Sequence, residues 1–347
     1  MSYLAVGRHT QELSSSDILK VHPKISENTN EVMSFYWRKA FFPSLLSIFA
    51  VLALSGCGFR TSHPVKIRAS SATLREATLN QLLETNNSNA EKLKTLKATV
   101  DIDSSVLEQK KNKVTDNPQI SGYILVRKPE MLRMIGLVPV VHNHMFDMVS
   151  NGTNFSLALP PENKFFVGST KQPSKPSPNP LYNMRPQHIS DALLLKPIDP
   201  EKEIAVMEDT TELVKDPKTH KEAEQAAYTV LVIDKDESGS YLARKIVFSR
   251  TDLLPHEQYL YNRQGQLVTF ARYENFSDKA GIMFPGMVSI QRPIEGYSLV
   301  LNMVKLDVNV PLTNEQFVLT QPPGSQLINL DTRSSAAAQE NDGKQPQ

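Results

Sequence analysis

The chain reads as mainly β, of the α+β class: an antiparallel meander sheet that curls, with helices near the start and the middle to plug its open side. Three observations carry this. Ala98, Val100 and Ile102 alternate with Thr99, Asp101 and Asp103, the period of a strand with one face buried and one wet. Turn signals recur between such stretches, among them Lys128-Pro129-Glu130, Asn151-Gly152 and Asn262-Arg263-Gln264-Gly265. The resulting hairpins follow one another in sequence, and a meander buries one face by curling.

The elements follow in order. Residues 72–96 have a helical apolar face (Leu74, Ala77, Leu79, Leu82, Leu83), interrupted at Asn86-Asn87-Ser88-Asn89, where Asn89 can cap a second segment. Strands are expected over Gln119–Arg127, Met131–Val138, Asn143–Ser150, Thr153–Leu159 and Lys164–Gly168. Residues 169–185, rich in Pro, Ser, Lys and Asn, form a loop, and Arg185-Pro186 opens a short helix reaching Leu195. Residues 197–226 are charged and carry no assignable period, so 169–226 reads as an insertion. A second meander covers Tyr228–Ile233, Tyr241–Ser249, His256–Tyr261, Leu267–Tyr273, Phe284–Gln291 and Tyr297–Val310. The tail, 331–347, is polar and Ala-, Ser- and Gln-rich, the composition of a disordered end.

The N-terminal side sets the compartment. Arg38-Lys39, a short apolar run from Phe41 to Ala53 and then Leu54-Ser55-Gly56-Cys57 have the n-region, h-region and small-residue site of a secretory signal. A membrane-spanning helix needs about 20 apolar residues, and this run is shorter. Met33 reads as the true start, which makes 1–32 a non-native extension, 33–56 the signal peptide and 57–71 a tether ahead of a domain over 72–330. Leu-Ser-Gly-Cys resembles the lipobox of bacterial lipoproteins, which implies that Cys57 is acylated and becomes the first mature residue. Two or more acyl chains hold a protein on a bilayer firmly, whereas one binds reversibly. Gly58, rather than Asp, after the cysteine fits delivery to the outer membrane, and the expected location is lipid-anchored there, facing the periplasm.

Composition excludes several function classes. The formal net charge of the 347 residues is +1, and no basic stripe alternates with aromatics, so nucleic acid is not an expected partner. Cys57 is the single cysteine, which rules out internal disulfides and cysteine-based zinc sites. His142-x-His144 has no ligand set around it beyond Asp147, and reads as polar loop beside an apolar tip. No Gly-x-Ser-x-Gly elbow and no phosphate-binding loop is present, so neither catalysis nor a cofactor is expected.

The C-terminal segment carries a further signal. It reads Phe284-Pro285-Gly286-Met287-Val288-Ser289-Ile290, then an alternating strand ending Asn309-Val310-Pro311-Leu312, then Phe317-Val318-Leu319 and Pro322-Pro323-Gly324. Together with Leu132–Pro139 and Phe146–Gly152 it resembles the LolA/LolB-like lipoprotein-carrier superfamily over residues 72–330. The resemblance implies a half-open β-barrel closed by helices, and an apolar cavity that takes the acyl chains of lipoproteins or lipids. It also implies exchange with a periplasmic carrier protein and no catalysis. By position, Leu137, Val138, Val140 and Val141 match the loop that such proteins press into the bilayer. Cavity candidates are Met134, Phe146, Met148, Met287, Leu301 and Met303, since methionine adapts to irregular ligands. The same residues also suit an ordinary core, with the protein acting as an assembly lipoprotein through protein partners.

Overall fold

The computed structural model describes residues 68–108, 113–141, 143–170 and 180–331. The signal segment, Cys57, His142 and the tail beyond Asp331 lie outside the described residues.

Helix α1 (Leu79–Lys92) starts at a reciprocal cap: Thr78 Oγ1 accepts from the Gln81 amide at 3.4 Å, and Gln81 Oε1 accepts from the Thr78 amide at 2.8 Å. The asparagine cluster does not break it. Asparagine weakens helices by bonding its own neighbourhood in other conformations. Here Asn87 instead bonds both backbone groups of Ile198, at 2.8 Å each, and Asn86 Nδ2 reaches the Lys196 carbonyl at 3.3 Å. The competing groups are occupied by a segment about 110 residues away in the chain, which no local pattern reveals. Helix α2 (Pro186–Leu193) has proline in its first turn, as expected, and buries Ile189, Ala192 and Leu193.

The strands are β1 (Arg68–Ala69), β2 (Thr95–Glu108), β3 (Lys113–Asp116), β4 (Ile120–Arg127), β5 (Met131–Leu137), β6 (His144–Ser150), β7 (Asn154–Leu159) and β8 (Lys164–Ser169). After α2 come β9 (Glu203–Lys215), β10 (Glu222–Asp236), β11 (Gly239–Ser249), β12 (Pro255–Tyr261), β13 (Leu267–Lys279), β14 (Ile282–Arg292), β15 (Tyr297–Val308) and β16 (Gln326–Asn329). They form one sheet in the order β10-β11-β12-β13-β14-β15-β2-β4-β5-β6-β7-β8-β16, with β1 and β9 both on β10 and β3 on β2. The strands of the two meanders stand where alternation and turns put them.

The half-open barrel does not form. The strand path has two separate ends, β9 and β1 at one and β16 at the other, and among the described residues no pairing joins them. The sheet is also mixed, because β1 on β10 and β16 on β8 are parallel. Hairpin signals decide which strands are neighbours; whether two distant ends meet is decided by long-range pairing that leaves no local trace. The sheet nevertheless bends. Helix α2 packs on β13 and β14 and also on β5 and β6. Six inter-strand steps separate β13 from β6, roughly 29 Å in a flat sheet, while a helix is about 10–12 Å across. The sheet therefore wraps α2, and the ends stay apart.

The charged 197–226 region, left unassigned by its composition, contains β9 and the start of β10. Strand β9 pairs through all thirteen residues with β10. It is an edge strand with Ile204, Val206 and Leu213 exposed among acidic residues and threonines, so neither face shows a clean apolar stripe.

The main core joins α2 to β2, β4–β8 and β13–β16. A second cluster packs Leu82 of α1 and Ile198 on Val230, Val232, Ile246 and Phe248. A third, of Val149, Leu312 and Phe317, lies under the segment after β15.

Candidate functional site

The expected hollow is filled. Met134, Met148 and Leu301 have no exposed surface, and Phe146 is buried with them. Phe146 stands opposite Gly136 on the paired strand, with its ring so close that a Cβ at Gly136 would lie 2.3 Å from it. Met303 is partly buried against this core, whereas Met287, half-buried, precedes the inward-facing Val288 and so lies on the opposite face of β14. Five of the six candidates thus belong to this packing, and Met287 lies outside it.

An open space exists elsewhere, between α1, the end of α2 and the β13–β14 hairpin. It is a small cleft of about 50 Å³ that opens to solvent. Asn86, Ala90 and Leu93 line it from the α1 side, Leu193–Leu195 from α2, and Phe276 and Ile282–Pro285 from the hairpin, with Lys128 at the β4–β5 turn. Its origin is a split in the sheet. Met287–Arg292 of β14 pair with β15, but Ile282–Pro285 pair with β13 alone. Pro285, which has no N–H to give a ladder, stands where the pairing with β15 stops. On the β15 side a register shift falls between Met303 and Lys305, and the strand continues with β2 only. The half of β14 that has left β15 becomes a wall of the cleft. The Phe284-Pro285-Gly286 motif marks that split, although nothing in the motif alone says that a cleft follows.

Polar groups hold the walls. Tyr273 donates to the Ala192 carbonyl at 2.7 Å, and Gln258 Nε2 donates to Tyr273 Oη at 3.2 Å and to the Asp191 carbonyl at 3.1 Å, so the end of α2 is tied to β12 and β13. Burial pushes the Tyr273 phenol up, which keeps it a neutral donor. Lys128 Nζ bonds the Ala90 carbonyl near the end of α1; burial, and Lys94 nearby, lower its pKa. Asn86 lines the cleft with its Oδ1 unpaired.

Two histidines of the fold stand in opposite charge states, and one of them, His256, lies beside the cleft. His256 stacks on Phe276 at 5.9 Å and bonds Glu212 at 3.2 Å and Asp252 at 3.1 Å. Burial opposes its charge, but the bonds to Asp252 and Glu212 prevail and raise its pKa to about 9. His188 of α2 lies between Tyr297 and Arg292, at 3.0 Å from each, and Arg292 is held by a two-point ion pair with Glu295. Burial first, then Arg292 and Arg185, keep His188 well below the ordinary imidazole value.

The loop after β5 carries the other expected contact residues. Leu137 is buried and Val138 half-buried, while Val140 is 91% and Val141 60% exposed. Val140 adopts φ 70°, a left-handed conformation costly for a β-branched residue, closed by a bond from the Val141 amide to the Pro139 carbonyl at 2.8 Å. The structure thus puts Val140 and Val141 at a loop tip, Leu137 at the end of β5 and Val138 just after it.

The C-terminal motif has a structural task. Asn309, at φ 55°, accepts from the Lys94 amide at 2.8 Å and donates to the Lys92 carbonyl at 2.9 Å, which clips the end of α1 to the end of β15. Arg127 then bonds the Leu312 carbonyl at 3.0 Å and covers the Phe317 ring. Arg133 pairs at two points with Asp147 (3.0 and 2.7 Å) and donates to the Gln316 carbonyl. Among the described residues no group of three or more metal-ligating side chains converges.

No protein-family model and no curated protein matches this chain. Among solved structures, it is similar to a LolA superfamily protein from Nitrosomonas europaea, with 15% identity over 70% of this chain and 99% of that one and a TM-score of 0.44. It is also similar to a DUF1329 family protein from Desulfovibrio piger, with 14% identity over 70% of this chain and 98% of that one and a TM-score of 0.46.

Proposed function

We propose that this protein is an envelope lipoprotein, anchored to the outer membrane through acylated Cys57, that holds an acyl chain of a lipoprotein or lipid in the cleft between α1, α2 and the β13–β14 hairpin. The observation that carries the reading is the cleft itself: a small, concave, mostly apolar space that opens to solvent. The filled centre moves the proposed site away from Met134, Met148 and Leu301 and onto Phe276, Met283 and Leu195. The tip formed by Val140 and Val141 supports contact with a bilayer, since a fully buried valine contributes about 1.5–3 kcal/mol. Transfer is then movement between apolar surroundings of similar depth, with a periplasmic carrier on one side and the membrane on the other. No bond is made or broken, and no catalytic group is needed.

The test is native mass spectrometry of the unlipidated domain mixed with extracted envelope lipids. A bound acyl species is expected; a domain that stays empty sinks the reading. Replacing Cys57→Ser should move the full chain from the membrane to the soluble fraction. The filled centre favours a second reading, an assembly lipoprotein working through protein partners. An empty domain that co-purifies with one stoichiometric envelope protein would select it.

A further inference from the structure

Strand β9 lies at one end of the sheet. Its thirteen residues pair with β10 on one side, and among the described residues nothing pairs with its other side. In an antiparallel edge strand every second residue turns its N–H and C=O outward. The free edge is therefore a row of unpaired donors and acceptors roughly 40 Å long. Apolar side chains accompany it: Ile204, Val206 and Leu213 are 40%, 43% and 55% exposed. Ala205 and Met207 pack on the second core cluster, whereas further along Glu212 is the buried residue. The covered face thus changes near the middle of β9, so Ile204 and Val206 are exposed on one face and Leu213 on the other. Of the four carboxylates of β9, Glu203 holds Arg244 at 2.6 Å and Glu212 holds His256 at 3.2 Å. Glu208 and Asp209, both exposed, stand at the changeover with no ion pair among the described residues.

Those two carboxylates discriminate between occupants. A second copy would meet the edge antiparallel about a two-fold axis. Full overlap of residues 203–215 sets Asp209 opposite its own copy and the two Glu208 side chains on the diagonal, and like charges so placed destabilise the pair. A strand with cations at its centre gains from the same positions. We propose that β9 is a docking strand for an extended segment of another protein, added antiparallel to its free edge, with lysine or arginine opposite Glu208 and Asp209 and β-branched residues opposite Ile204, Val206 and Leu213. Backbone ladder bonds supply the binding, and the acidic centre between apolar flanks selects the segment. Nothing in this edge depends on the cleft, so the two stand or fall separately.

The test uses the full chain carrying Cys57→Ser and a labelled ten-residue peptide, Val-Thr-Thr-Thr-Lys-Lys-Thr-Val-Thr-Val, followed by fluorescence anisotropy. The peptide is expected to bind roughly tenfold more tightly than its counterpart with glutamate for both lysines, because two cross-strand charge pairs change sign. Glu208→Lys with Asp209→Lys, both at exposed positions, should reverse that preference. Two further peptides keep the lysines and are N-methylated on alternate residues, in opposite phase. One phase blocks the N–H groups that face β9 and should lose binding, while the other should keep it. Equal behaviour of the two phases would mean attraction without strand addition and overturns the proposal. So does a lysine peptide that stays unbound up to about 1 mM. A wild-type dimer in sedimentation that Glu208→Val with Asp209→Val strengthens would assign the edge to a second copy and overturns it as well. If the lysine double variant fails to fold, the peptide series on the unaltered edge decides.

Discussion

Met134, Met148 and Leu301 lie beneath the sheet with no surface left, while Met283, Phe276 and Leu195 lie along a wall that opens to solvent. Both regions are made of the same residue types. Leu301 sits on β15 opposite Val288, inside the paired half of the β14–β15 ladder; Met283 sits on the half of β14 that β15 has left. Residue type therefore does not decide which region is open. Strand pairing does. Where the ladder is continuous, the sheet brings side chains from both of its arms onto α2 and the space closes. Where Pro285 and the register shift near Met303 part the strands, the helices cannot cover the gap and a cleft remains.

The packed region should be sensitive to lost volume, and Leu301→Ala gives the largest effect. The side chain is fully buried, so the variant is expected to lose about 2–5 kcal/mol of unfolding free energy in urea. A loss below about 1 kcal/mol would mean that the centre is loosely filled and that the contrast with the cleft is false. Gly136→Ala tests the same region from the other side. The added methyl would meet the Phe146 ring at 2.3 Å and Ile120 at 2.8 Å, both inside the core, and the expected cost is about 1–3 kcal/mol by urea titration. In Gly136→Ala combined with Phe146→Leu, part of that cost should return.

Much of this organisation was legible in the sequence, and the failures have physical causes. The hairpins of β4–β8 and β10–β15 could be read because alternation and turn chemistry are local. Asn309 could be singled out, and its left-handed backbone and two-point clip explain why asparagine stands there. The cleft was not legible, because it depends on where β14 and β15 separate and on α1 continuing through Asn86–Asn89. That continuation relies on bonds to Lys196 and Ile198, far along the chain. Methionine spacing pointed to the wrong region for the same reason: it marks apolar strand faces, and cannot say which face stays uncovered. Strand β9 went unseen because an edge strand with exposed Ile204, Val206 and Leu213 among acidic residues has no contrast between its faces.

His256 offers a reversible way to disturb the cleft side alone, since it stacks on the cleft residue Phe276. Its folded pKa, about 9, lies above the ordinary value of 6.5. The charged imidazole therefore stabilises the fold fully below about pH 6.5, and that contribution is lost as pH rises through about 9. Between pH 7 and 9.5 the stability in urea should fall by on the order of 2 kcal/mol. His256→Gln should be less stable at pH 7 and lack that slope. Acyl-chain binding in the cleft should weaken over the same interval, whereas His188, already neutral, contributes no change there. A wild-type slope that survives in His256→Gln would assign it to other groups and remove the coupling between this ion pair and the cleft wall.

The smallest effect on stability is expected from a large substitution. Met283 is half-buried at the cleft, and Met283→Trp places the added ring in space the folded protein leaves open, so unfolding free energy should change by no more than about 0.5 kcal/mol. Acyl-chain binding should nevertheless fall at least tenfold, because the indole takes the volume the chain would use. Met148→Trp makes the opposite trade in the packed centre: overpacking costs about 1–3 kcal/mol, and binding in the cleft persists in whatever fraction stays folded. The pair separates the two regions with one change of residue type. If Met283→Trp lost stability like Met148→Trp, the cleft would be closed in solution and no acyl chain could enter without opening the fold. If it kept both stability and binding, the chain would sit elsewhere on the protein.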